Sequence, residues 1–309
     1  MVAGVANHGQ AETPLRNYIG KPLPEYVTGD ECLFCHRNVV GPSWSINEHQ
    51  KTLLPLIAAP EIEAALQANP ALKPFAKHVR FVLGNENQIR LLRKSQKYGH
   101  LDLLSAILEP SHSEDATIKL RNKPPFQWDT KIFGQRCAGC HATAVDSRTQ
   151  TYAATGIDCY SCHGDVDLKH ANDASLVYLS KKRNDSPLLV AATCGQCHIR
   201  TGKSKASGFP YANNHVIGSD LFTDFDVDLS HKALDAAPPH ERHILANIRN
   251  VLEENDSVTC LSCHNIHRTS GRKHRKIEKS NYCLICHAPS DMKQLTYNRK
   301  ERHHALCGY

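Results

Sequence analysis

The chain has 309 residues, a formal net charge of +6, 22% charged residues and only 6% aromatics. This mild basicity is not the composition of a nucleic-acid binder. The longest apolar runs, such as residues 53–59 and 188–192, fall well short of the roughly 18 residues that an integral membrane segment needs.

The outlying counts are 13 Cys and 20 His, and these require a physical explanation. The N-terminal stretch MVAGVANHGQAETP lacks the basic start and apolar core of an export signal. Next comes Cys32-Leu-Phe-Cys35-His36, followed by His49 in Trp44-Ser-Ile-Asn-Glu-His49. Residues 51–130 carry no such unit. They predict a helix over 61–68 and short apolar runs at 79–83 and 101–108, punctuated by Pro70, Pro74 and Pro124-Pro125, and so read as helix plus a few short strands. Three units then cluster: Cys137-Ala-Gly-Cys140-His141, Cys159-Tyr-Ser-Cys162-His163 and Cys194-Gly-Gln-Cys197-His198. A gap over 199–259, with a helical stretch at 240–253, leads to Cys260-Leu-Ser-Cys263-His264 and Cys283-Leu-Ile-Cys286-His287. The chain divides on this reading into an N-terminal segment with the first unit (1–50), an insert (51–130) and a region with five units (131–309).

Twelve of the 13 cysteines thus fall into six copies of one pattern, and only Cys307 stands alone. Paired cysteines suit zinc or a disulfide, but neither explains a His directly after every pair. At the overall His frequency of 20 in 309, six out of six by chance is about one in ten million. Cys-x-x-Cys-His is the attachment signal for c-type haem: the thiols form thioethers and the adjacent His binds the iron. Six covalently attached haem c groups would supply much of the apolar mass of the interior. The apo-chain is then expected to be largely unfolded.

The second axial ligand decides between electron carriage and chemistry at an open iron. Methionine is nearly excluded, with only Met1 and Met292 available, whereas 14 histidines remain after the six proximal ones. His49, His170, His240, His243, His267 and, near the C-terminus, His303 and His304 are the candidate distal ligands. His267 follows His264 too closely to reach the far face of the same haem, so it is expected to serve a neighbouring one. His8, His78, His100, His112 and His274 read as surface residues or haem-propionate partners, with His215 and His231 between the two groups. The basic stretch 268–276 reads as a solvated face or a neutraliser of propionates rather than a docking site. The acidic alternation over 220–228 does not match a calcium-binding EF-hand.

The stretch CAGCHATAVDSRTQTYAATGIDCYSCHG (137–164), with His170 after it, resembles the multihaem cytochrome c superfamily of the nitrifier tetrahaem cytochrome and the octahaem hydroxylamine-oxidoreductase-like proteins. ECLFCHRNVVGPSWSINEH (31–49) resembles that group's first haem segment, with His49 in the distal-ligand position. CLSCHNIHRTSGRKHRKIEKSNYCLICH (260–287) is similar to its closing haem pair, with His267 as a distal ligand. The resemblance implies a mainly α, loop-rich fold organised around covalently attached haem pairs with bis-His irons. The lysine-ligated variant found among enzymatic relatives has no counterpart here, because all six units end in His.

The function expected is electron transfer between a quinol- or dehydrogenase-linked donor and a reductase or extracellular acceptor. Redox proteins would be the partners, and further copies of the chain would join in a homo-oligomeric or filamentous form. The alternative is an oxidoreductase with one open haem acting on small nitrogen or sulfur compounds. Covalent haem attachment places the mature chain in the periplasm or outside the cell.

Overall fold

The structure is a computed structural model that describes residues 30–84, 88–110, 118–212, 215–254 and 258–267, with only the backbone at Asp30, Glu31, Pro239 and His240. The sixth unit (Cys283, Cys286 and His287), His303, His304, Cys307 and the basic stretch 268–276 lie outside the described residues.

The first unit lies on helix α1 (Asp30–His36), followed by a single turn, α2 (Gly41–Trp44). The chain then builds a six-stranded sheet, antiparallel at every pairing, from β1 (Leu53–Pro55), β2 (Phe81–Leu83), β3 (Ile89–Lys94), β4 (Leu101–Pro110), β5 (Ile118–Leu120) and β6 (Trp128–Asp129). The order is β1-β2-β3-β4-β5, and β6 pairs with the other half of the same β4 edge. Between β1 and β2 run α3 (Pro60–Ala68) and α4 (Lys73–Ala76). Helix α3 starts well, with proline in its first turn and Glu61 and Glu63 beside its positive end. It buries Ile62 and Leu66, one turn apart.

Both faces of this sheet are covered. Leu91, Leu104, Ala106 and Leu108 pack with Ile62, Leu66 and Leu72 under the helices. Leu92, Leu101 and Leu103 point the other way, against Phe133, Ala138 and Ala142 of the second unit. This corrects the expectation of a mainly α fold: the described residues are 39% helix and 17% strand, and β4 alone runs for 10 residues. A strand buried on both faces loses its apolar–polar alternation, and its apolar run then cannot be told from a buried helix by period.

The remaining described units sit on helices. A π-helical turn (Phe133–Cys137) leads into α5 (Ala138–His141), and α6 (Tyr160–His163) ends at Gly164, whose φ of 72° suits glycine. Strands β7 (Ala142–Thr143) and β8 (Ala154–Thr155) pair as a small ladder between them. Helix α7 (Pro187–His198) starts on Ser186, whose hydroxyl accepts from the Leu189 amide, and carries the fourth unit at its far end. A second two-stranded ladder joins β9 (Lys203–Ser204) to β10 (Phe225–Asp226). Helices α8 (His231–Ala236) and α9 (Pro239–Leu252) close on α7, with Leu234, Leu245, Ile248 and Val251 packed against Ala191 and Ala192. The fifth unit opens on α10 (Cys260–Cys263), started by a capping box between Thr259 and Ser262.

Candidate haem centres

Each described unit lies on or at the end of a helix, so its two cysteines, three apart, share one helix face. All ten described cysteines are free thiols. Among the described residues no group of three or more His, Cys, Asp or Glu side chains converges to hold a metal ion. A His directly after each cysteine pair is not what a disulfide framework or a tetrahedral zinc site requires. It fits thioether attachment plus a single ring nitrogen per unit.

Histidines distant in sequence come together in pairs. His36 and His170 lie with ring centroids 6.0 Å apart and planes 28° from parallel. His49 faces His198 at 6.1 Å, and His163 faces His267 at 5.9 Å. Two imidazoles bound to one metal at about 2.0 Å per nitrogen have centroids about 6 Å apart, so each pair has the separation of two axial ligands on one iron. His267 is placed by its neighbours: Trp44 meets its ring edge-on, and the Asn47 amide donates to the Ile266 carbonyl at 2.6 Å.

The rings are also oriented. The Nδ1 of His141 lies 3.0 Å from the Thr52 carbonyl, that of His163 2.7 Å from the Tyr178 carbonyl, and that of His170 2.8 Å from the Asp167 carbonyl. The Nδ1 of His49 lies 3.2 Å from the Asn47 side-chain oxygen. An oxygen of this kind only accepts, so Nδ1 carries the proton and Nε2 keeps a lone pair for a metal. Burial pushes the pKa of His49, His141, His163 and His267 below the ordinary value, which favours the neutral, ligating form.

Thiols of different units also meet: Cys32 with Cys159, Cys140 with Cys197, and Cys194 with Cys260. Cys197 Sγ reaches the Gly139 carbonyl at 3.7 Å, and Cys140 Sγ the Cys197 carbonyl at 3.8 Å. The first unit is thereby set beside the third, the second beside the fourth, and the fourth beside the fifth. His243 lies on α9 one turn before Asn247, whose side-chain oxygen is 3.9 Å from Cys260 Sγ. Of the other candidates, His240 is described by its backbone alone, and His287 and His304 lie outside the described residues. His78 and His231 are exposed. Of the carboxylates at 220–228, Asp220 accepts from the Phe222 amide and Asp228 from the Ser230 amide, each two residues on, and Asp224 accepts from the Ala206 amide.

Residues 131–209, which span the second to fourth units, match the family model described as cytochrome c3. No curated protein matches the chain. Among solved structures, an undecaheme cytochrome from the S-layer of Carboxydothermus ferrireducens is similar at 15% identity and a TM-score of 0.46. The match covers 86% of this chain and 44% of that one, so the chain spans less than half of that protein's length. The family match is confined to that segment, and further Cys-x-x-Cys-His units stand on both sides of it, at 32–36, 260–264 and 283–287.

Proposed function

We propose that the chain is a six-haem, bis-His electron carrier. The observation that supports this best is the set of three histidine pairs at 5.9 to 6.1 Å, with Nδ1 of His49, His163 and His170 tied to an oxygen. Each haem c, when bound, supplies an iron that alternates between ferric and ferrous states without making or breaking a substrate bond. The chain's residues do the rest. The cysteines of Cys32–Cys35, Cys137–Cys140, Cys159–Cys162, Cys194–Cys197, Cys260–Cys263 and Cys283–Cys286 attach the groups. His36, His141, His163, His198, His264 and His287 give the proximal nitrogens. His170, His49 and His267 give distal nitrogens to the first, fourth and third units respectively, and His243 is the candidate for the fifth.

The thiol contacts between units give the adjacency that a relay needs, running from the first unit through the third and from the second through the fourth to the fifth. The first unit is the exposed end, with Cys35 and His36 both at the surface, and redox partners dock there. Bis-His ligation without methionine implies low potentials. A donor linked to quinol oxidation or a dehydrogenase and a terminal reductase or extracellular acceptor are the matching partners, met in the periplasm or at the cell exterior. Copies of the chain joined end to end would extend the same relay.

The test is intact-mass spectrometry of the purified protein, followed by reduction with a low-potential donor and reoxidation by a soluble acceptor. Six haem additions and complete, reversible reduction are expected. Fewer additions, or a fraction of haem that fails to exchange electrons, would contradict the reading.

A further inference from the structure

A cavity lies where the second, third and fourth units converge, lined by Gly139, Ala142, Tyr160, Ser161, Cys197 and His215. His215 is not part of any Cys-x-x-Cys-His unit. Its Nε2 is buried and has no hydrogen-bond partner, although a buried polar nitrogen left unpaired costs about 1–3 kcal/mol. Its Nδ1 lies 3.5 Å from the Ser219 hydroxyl oxygen, and that hydroxyl donates its own proton to the Val216 carbonyl. Ser219 therefore accepts from His215, the proton sits on Nδ1, and Nε2 holds a lone pair. This is the same tautomer as His49, His141, His163 and His170. Burial lowers the His215 pKa to about 4, so the ring is neutral near pH 7.

The neighbours decide which iron this nitrogen serves. Of the three units around the cavity, the third has the His163–His267 pair and the fourth has the His198–His49 pair. The second contributes Gly139 and Ala142, which flank Cys140 and His141. His141 itself points Nδ1 at Thr52 and so leaves Nε2 for a metal. We propose that His215 supplies the second axial nitrogen to the haem carried by Cys137, Cys140 and His141. The inference rests on the bis-His reading above and goes beyond it by closing a site that would otherwise be open to small ligands.

The test compares the holo-protein with H215A and H215M, each with its haem count checked by intact mass. Carbon monoxide is added to the fully reduced proteins and the Soret band followed. H215A should bind carbon monoxide at one more haem equivalent than the unaltered protein. H215M should keep that site closed, raise one haem's potential and add the far-red absorption of sulfur-ligated ferric haem, because methionine ligation raises potentials. In a background with Cys137→Ser and Cys140→Ser, which lacks the second haem, H215A should add no carbon monoxide binding. Unchanged binding in H215A with no new band in H215M would overturn the inference, and added binding in the background that lacks the second haem would overturn the assignment to the second unit. Reversible reduction and reoxidation, measured on the same samples, reports on the electron-carrier reading separately.

Discussion

The sheet region and the haem-bearing region solve the same problem by different means. The sheet region, residues 53–129, holds a dry core of ordinary side chains, in which Leu66, Leu91, Leu104 and Ala106 are fully buried. Around the third unit the side-chain core is small: Tyr160 and Val216, with Ala144 beside them. The helices there are short, four residues each in α5, α6 and α10, well below the 12–15 residues at which isolated helices become even marginally stable. The sheet is specified by apolar burial; in the haem-bearing region α7, α8 and α9 share an apolar core of their own, while the short helices α5, α6 and α10 carry their cysteines and histidines with far less side-chain support. Coupling of metal binding to folding is expected in the haem-bearing region and not in the sheet.

The largest effect that separates the two is removal of haem. In a chain made without haem attachment, amide hydrogen exchange should show protection retained across β2, β3 and β4 and lost across residues 137–198 and 258–267. Equal loss in both regions would mean that the sheet depends on haem as well. Next in size is Leu104→Ala, which opens a cavity beneath α3 and should cost about 2–5 kcal/mol of sheet stability. Denaturant unfolding followed by tryptophan fluorescence measures this, since Trp128 packs on the same core, while the Soret band in native buffer should not change.

A third substitution probes the seam between the regions. A Cβ at Gly139 would run into the ring of Tyr211, which is buried and donates its hydroxyl to the Gly134 carbonyl. Gly139→Ala should therefore cost about 1–3 kcal/mol through overpacking and perturb the spectrum of one haem, with partial recovery in a Gly139→Ala/Tyr211→Ala double variant. The smallest effect belongs to the surface. Arg249 and Glu253 form an i,i+4 pair at 2.7 Å on α9, and Arg249→Ala should change stability by no more than about 0.5 kcal/mol, within the scatter of a thermal melt.

The same contrast explains what was legible in the sequence. Cys-x-x-Cys-His is a local pattern, so the attachment sites could be read residue by residue. So could α3, with its proline start and acidic first turn, and α9, with buried Leu245, Ile248 and Val251 at three-residue steps. The sheet was not legible as a sheet. Leu-Asp-Leu-Leu-Ser-Ala-Ile-Leu in β4 packs against helices on one side and the second unit on the other, which erases the period-two signal. Nor was the pairing of histidines legible. His49 was marked by its local context, but its partner proved to be His198, far along the chain, and no local pattern encodes such a contact. By its sequence context His215 stood only between the candidate ligands and the surface histidines. Only the fold, by burying its Nε2 without a partner beside the second unit, distinguishes it from a surface histidine.

The most direct test of the central claim is near-infrared magnetic circular dichroism of the fully oxidised protein, in which the ligand-to-iron charge-transfer band reports the axial pair of each haem. The account predicts low-spin ferric haem throughout, with all intensity at the bis-His position. A band at the His/Met position, or a dominant high-spin contribution, would contradict the assignment of the His36–His170, His49–His198 and His163–His267 pairs as axial ligands.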